Sequence, residues 1–156
     1  MTAISTAYDT LISAIEAALP NHMELINALS PETNDDLSYQ AAFGIAFGDG
    51  ENTNKELARV TARRLFSVTL TRKIYKGDLS RSSFSVSEKR AAEKALFEDL
   101  HTLIRAIETN TTLNNTNGEP IAFCLYRSDS GIELINQRVD LIMTRAIFEI
   151  EYFETL

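Results

Sequence analysis

Between Tyr39 and Gly48 the chain alternates strictly between bulky and small residues. Tyr39, Ala41, Phe43, Ile45 and Phe47 fall on one side, and Gln40, Ala42, Gly44, Ala46 and Gly48 on the other. A period of two belongs to a β-strand, so this segment demands a sheet whose bulky side meets a core. The other side is nearly smooth, and glycine inside a strand often marks the close approach of a second backbone. A second strand is predicted from about Ala62 to Tyr75, with Phe66, Val68, Leu70 and Ile74 on one face and Leu65, Ser67, Thr69, Thr71 and Lys73 on the other. Its β-branched and aromatic content fits a sheet. Ile121–Arg127 reads as a strand, Ser128–Gly131 as a turn and Ile132–Ile135 as a short return. The last strand, about Arg138 to Phe153, turns Ile142, Ala146, Phe148, Ile150 and Tyr152 one way and Arg145, Glu149 and Glu151 the other.

Two segments carry the helical period instead. Ile4, Tyr8, Leu11, Ile15 and Leu19 share one face, and Pro20 stops that helix. Ser85 followed three residues later by Glu88 forms a capping-box pattern, after which Ala92, Leu96, Leu100, Leu103 and Ile107 mark a buried stripe. His22–Leu29 reads equally as a short strand or an irregular bridge, and residues 30–36 as a polar loop. The polar run Asp49–Asn54 reads as a loop, with room for a helical turn over 55–60. The expected fold is α+β, in the order α-β-β-α-β-β: an antiparallel-rich sheet of about four main strands with two helices packed on one face. At 156 residues, with 3 prolines and 6 glycines, the chain is expected to form one domain over 1–156.

Composition narrows the function classes. No stretch approaches the apolar length of a membrane span, and the start of the chain lacks the pattern of a signal peptide. The single cysteine, Cys124, permits no intrachain disulfide and suits a reducing cytoplasm. Net charge is −7 but uneven: between Lys55 and Arg81 eight basic residues stand against two acidic ones, so that segment carries +6 and the rest −13. Such asymmetry steers nucleic acid, or sets the basic edge of one copy against the acidic face of the next. The second reading suits a chain with a pI near 4.8.

The residues for catalysis or metal binding are not assembled in any recognisable pattern. His22 and His101 are the only histidines, and neither belongs to a Cys/His cluster with zinc-ligand spacing. Cys124 lies in an apolar strand, where an inert core thiol is expected. The run Phe47–Asn54 lacks the Gly-Lys-Ser/Thr of a phosphate loop, and a calcium loop begun at Asp49 meets Asn54 and Val60 where Gly and Glu are needed. No catalytic residue, metal or cofactor is expected. A base-stacking strand would need aromatics interleaved with its cations, whereas Phe66 lies on the apolar face.

The wording of residues 43–73 is then informative. A strand ending Phe-Gly-Asp-Gly, then Glu-Asn-Thr-Asn-Lys-Glu-Leu, then Arg-Arg-Leu-Phe-Ser-Val-Thr-Leu-Thr-Arg-Lys, resembles the tail terminator (tail-completion) proteins of long-tailed bacteriophages. The element order and the long closing strand agree with that family. The resemblance implies a subunit of a hexameric ring that caps the tail tube, ends its polymerisation and offers a surface to the head-side neck or stopper protein. Its place would be the virion tail or neck, after assembly in the host cytoplasm. Its partners would be itself, the tail tube protein and the neck, with DNA passing through the ring without sequence-specific contact and no membrane. A ring needs two different patches that meet head to tail. The basic strand, through Arg63, Arg64, Arg72 and Lys73, is the expected subunit interface. Asp49, Glu51, Asn52, Asn54 and Lys55 are the expected docking loop for the tube. Another neck or connector ring protein is the alternative within the virion, and a small nucleic-acid-binding module the alternative outside it.

Overall fold

The computed structural model describes residues 2–31, 40–56, 59–74, 85–109, 112–114, 117–135 and 138–155. Tyr39, Tyr75 and the basic residues Lys76 and Arg81, like most of the polar loop at 30–36, lie outside that set. The elements run α1 (Ala3–Ala18), β1 (Met23–Glu24), β2 (Ala41–Glu56), β3 (Arg59–Lys73), α2 (Val86–Thr109), β4 (Thr112–Asn114), β5 (Pro120–Asp129), β6 (Glu133–Ile135) and β7 (Arg138–Thr155). Both helices start as their sequences require. The Thr2 side chain accepts the Ser5 N–H at 3.2 Å, which satisfies one otherwise orphaned donor of α1. Ser85 and Glu88 form the reciprocal capping box, with Glu88 N–H donating to Ser85 Oγ at 3.1 Å and Ser85 N–H to Glu88 Oε1 at 3.2 Å.

Six strands lie side by side in the order β1-β2-β3-β7-β5-β4, and β6 extends the β5 row along β7. Every pairing is antiparallel except β1 with β2, which makes the sheet mixed. The four strands expected from the sequence are the four long ones, β2, β3, β5 and β7. Of the three short ones, β6 falls in the short return expected at Ile132–Ile135 and β1 in the segment left open at His22–Leu29, while β4 is too short to show a period.

One correction concerns residues 49–56. Their Asp, Gly and Asn content reads as a loop, yet they continue β2 and pair with β3 as far as Glu56 opposite Arg59. The pairing is irregular, with register shifts between Phe47 and Gly50 and between Asn52 and Asn54. Two bulges thus absorb the turn-forming residues without ending the strand. The helical turn considered for 55–60 is replaced by the approach of β2 and β3 to their hairpin tip.

The helices cover one face. Leu11 and Ile15 of α1 and Leu96, Leu103 and Ile107 of α2 are fully buried against Phe43, Phe66, Leu70, Ile142, Phe148 and Ile150 of the sheet. Aromatic rings form a row across this face in register: Phe47 of β2, Phe66 of β3, Phe148 of β7 and Tyr126 of β5. Successive ring centroids are 5.3, 5.1 and 5.7 Å apart, and Tyr8 of α1 closes the row 5.3 Å from Phe47. Such offset and edge contacts add to the burial of the rings themselves.

The opposite face is half covered. After α1 the chain rounds the sheet margin as β1, and residues 25–31 cross to the smooth side of β2. Leu25 packs there with Ala42, Leu141 and Met143 in a small second core. Gly44 explains why the alternating strand is smooth: a Cβ at this position would lie 2.6 Å from Ala28 Cβ and 3.0 Å from Ala28 Cα. The missing side chain is the space the crossing segment occupies.

Candidate assembly surface

Beyond the crossing residues 25–31, none of the other described residues covers the second face of the sheet around Leu65 and Leu125. Register places its residues in rows. Ser67 of β3, Ile147 of β7 and Ser128 of β5 form one row; Leu65, Glu149 and Leu125 the next; Arg63, Glu151 and Phe123 the third. Glu51 of β2 extends the third row opposite Arg63. Leu65 is 46 % exposed, Leu125 50 % and Leu29 64 %, which is unusual for three large apolar side chains on one sheet face. Leu29, Ala46, Gly48, Leu65 and Ile147 line an apolar recess of about 240 Å³.

The centre of this face is fixed by one carboxylate. Glu149 Oε2 accepts from Arg127 Nη2 at 2.8 Å, and Glu149 Oε1 lies 3.3 Å from Arg63 Nε. Arg127 reaches inward because it is the extra residue of a bulge between Tyr126 and Ser128. Both arginines are well exposed, so the pairs fix geometry more than they stabilise the fold; exposed pairs contribute about 0–1 kcal/mol each. Asp49, Glu51 and Glu151 have no ion pair among the described residues. Arg59 and Arg145 share this face, so its charge is mixed, with the carboxylates Asp49, Glu51 and Glu151 gathered towards the Arg63 end.

The four cations expected to form one interface do not share a surface. Neighbours in a strand point to opposite faces, so Arg63 joins the open face while Arg64 turns to the helix side. There Arg64 Nη1 donates to the Gly48 carbonyl at 2.6 Å, and its guanidinium lies over Gly50, where a Cβ would meet it at 2.7 Å. Arg72 also faces the helices. Its Nε and Nη2 hold Asp99 of α2 at 2.6 and 3.0 Å, with His22 Nε2 3.2 Å from the same carboxylate. Burial raises the Asp99 carboxyl, but His22 and Arg72 outweigh it and hold the group below the usual carboxylate range. Lys73 is buried at the end of β3, where Gln40 Nε2 donates to its carbonyl at 3.2 Å.

The residues expected to form a docking loop lie on the outer length of β2. Only Ala42 and Phe43 pair with β1, so Gly44–Glu56 carries no further strand on that side among the described residues. Asp49, Glu51 and Asn52 are exposed there, as is Lys55; Asn54 holds its place opposite Thr61. Charges and bulges of this kind blunt an edge against casual strand addition.

Among the described residues no group of three or more His, Cys, Asp or Glu side chains could hold a metal ion, and no helix is long and apolar enough to cross a membrane. Cys124 is buried, and burial pushes its thiol up to about 12. The signal missed in the sequence was the odd-numbered face of β3, β5 and β7: Leu65, Leu125 and Phe123 alternate with the core residues and stood in plain view as large apolar groups on the outward side. No protein-family model matches the chain, and no curated protein matches it at a significant level.

Proposed function

We propose that this protein is a structural subunit that assembles with copies of itself into a ring capping a phage tail tube. In this role, that of a tail terminator, the ring ends tube polymerisation and offers its other side to the head-side neck, while DNA passes through the opening. The observation that carries the reading is the half-open sheet face, whose exposed leucines and unpaired carboxylates suit burial against another protein. The resemblance of residues 43–73 to tail terminators supplies the identity of the assembly. A nucleic-acid-binding role is less favoured, because Arg63, Arg72 and Arg127 are each engaged with a carboxylate of the same chain.

The test is microscopy of tails made with and without the protein. A ring at the head-proximal end of purified tails, and overlong or unjoined tails in its absence, is the expected result. Tails of normal length that join heads without it would exclude the reading. A ring located elsewhere in the neck would make it a connector instead.

A further inference from the structure

A head-to-tail ring needs a second surface that differs from the open sheet face, and the outward side of α2 has the matching properties. Arg90, Lys94, Phe97, His101 and Arg105 recur at the helical period and are all exposed, forming one stripe on the side away from the core residues Leu96, Leu100 and Leu103. Phe97 is 52 % exposed at the middle of the stripe. Arg90, Lys94 and Arg105 have no ion pair among the described residues, whereas the neighbouring Lys89 is held by Glu93 at 3.5 Å. Glu98 lies at the margin of the stripe and Glu108 at its end.

We infer that the α2 stripe of one copy docks on the open sheet face of the next, with Phe97 entering the recess beside Leu65. Three features match. An isolated projecting aromatic, the kind of residue that anchors interfaces, meets an apolar recess. Unpaired Arg90, Lys94 and Arg105 meet unpaired Asp49, Glu51 and Glu151. The two surfaces lie on opposite layers of the subunit, so the contact is heterologous, as ring closure requires. The helix, rather than the basic strand expected from the sequence, supplies the cations of this contact, and the carboxylates come from the Asp49, Glu51 and Glu151 end of the open face. The inference deepens the ring reading proposed above, from which it takes only the head-to-tail arrangement.

Two single-cysteine variants, Leu65→Cys and Phe97→Cys, test it, with the buried Cys124 left in place. Both sites are exposed, and unchanged melting curves verify the fold of each variant. With a short bismaleimide cross-linker, a mixture of the two gives the mixed dimer, while neither variant alone gives a dimer. Lys94→Glu added to the Phe97→Cys chain lowers the mixed product about tenfold, as like charges across an interface require, and Glu51→Lys added to the Leu65→Cys chain restores it. Absence of the mixed product at the highest soluble concentration overturns the inference, as does dimerisation of each variant with itself. Capped tails without mixed product remove this contact alone. Mixed product with uncapped tails removes the tail reading and leaves the contact standing.

Discussion

Arg72 on β3 grips Asp99 on α2 with two hydrogen bonds, Nε to Oδ2 at 2.6 Å and Nη2 to Oδ1 at 3.0 Å, and so ties the sheet to the helix layer at one end of the core. Removing one partner of such a pair leaves the other desolvated. Asp99→Ala is expected to cost about 3 kcal/mol in urea unfolding, at the low end for a broken buried pair because Arg72 is a quarter exposed.

The same pair sets a pH dependence. The Asp99 carboxyl is held below its unfolded value, so its contribution is complete above the ordinary carboxylate pKa of about 3.9 and is lost as pH falls through the depressed folded value. The stability gap between wild type and Asp99→Asn should therefore be widest at neutral pH and close under acid. A gap independent of pH would show that the charge of Asp99 is not what matters.

Gly44→Ala places a methyl group against Ala28, 2.6 Å from its Cβ and 3.0 Å from its Cα. The crossing segment must move, at a cost of about 1–3 kcal/mol. Limited proteolysis should then cut residues 25–31 faster than in the wild type. Ala28→Gly in the same chain should recover only part of the loss, because the backbone contact remains.

Phe148 lies at the middle of the aromatic row, stacked on Phe66 and met edge-on by Tyr126. Phe148→Ala is expected to cost about 3–5 kcal/mol by denaturant unfolding. Phe97→Ala, on the outward side of α2, should change stability by no more than about 0.5 kcal/mol. Equal losses at the two positions would contradict the layering described here.

Tyr126 Oη donates to Asp129 Oδ2 at 2.6 Å, and this hydrogen bond, with some burial and the nearby charge, pushes the phenol up to about 12. A raised folded value contributes stability that is present below the ordinary tyrosine pKa and lost as pH rises through the folded one. In Asp129→Asn the Tyr126 resonance should titrate closer to the ordinary 10, as followed by NMR of ring-labelled protein.

The elements with a clean period were legible in the sequence. Leu96, Leu103 and Ile107 announce α2, and Phe148 and Ile150 announce the core face of β7, because burial on one side leaves a repeating mark. Residues 49–56 were not legible, since Gly50 and Asn52 have turn-forming preferences that the ladder to β3 overrides through two bulges. The dispersal of Arg63 and Arg64 follows from strand alternation. The engagement of Arg72 with Asp99 does not, because it depends on how α2 lies over β3. The α2 stripe has the same period as the buried stripe and is simply its complement, but only the packed fold shows that Phe97 faces outward.

The first thirty residues form a clip around the sheet margin, with α1 gripping one side and the stretch through Ala28 the other. Its bend carries His22, seated against the carboxylate that joins β3 to α2. A body pressing on Leu29 therefore pushes one jaw of the clip, which Leu25 ties to the sheet through the Phe43 carbonyl and His22 ties to the helix layer through Asp99. Contact on the sheet side is thus mechanically continuous with the layer behind it, through a single uninterrupted length of chain.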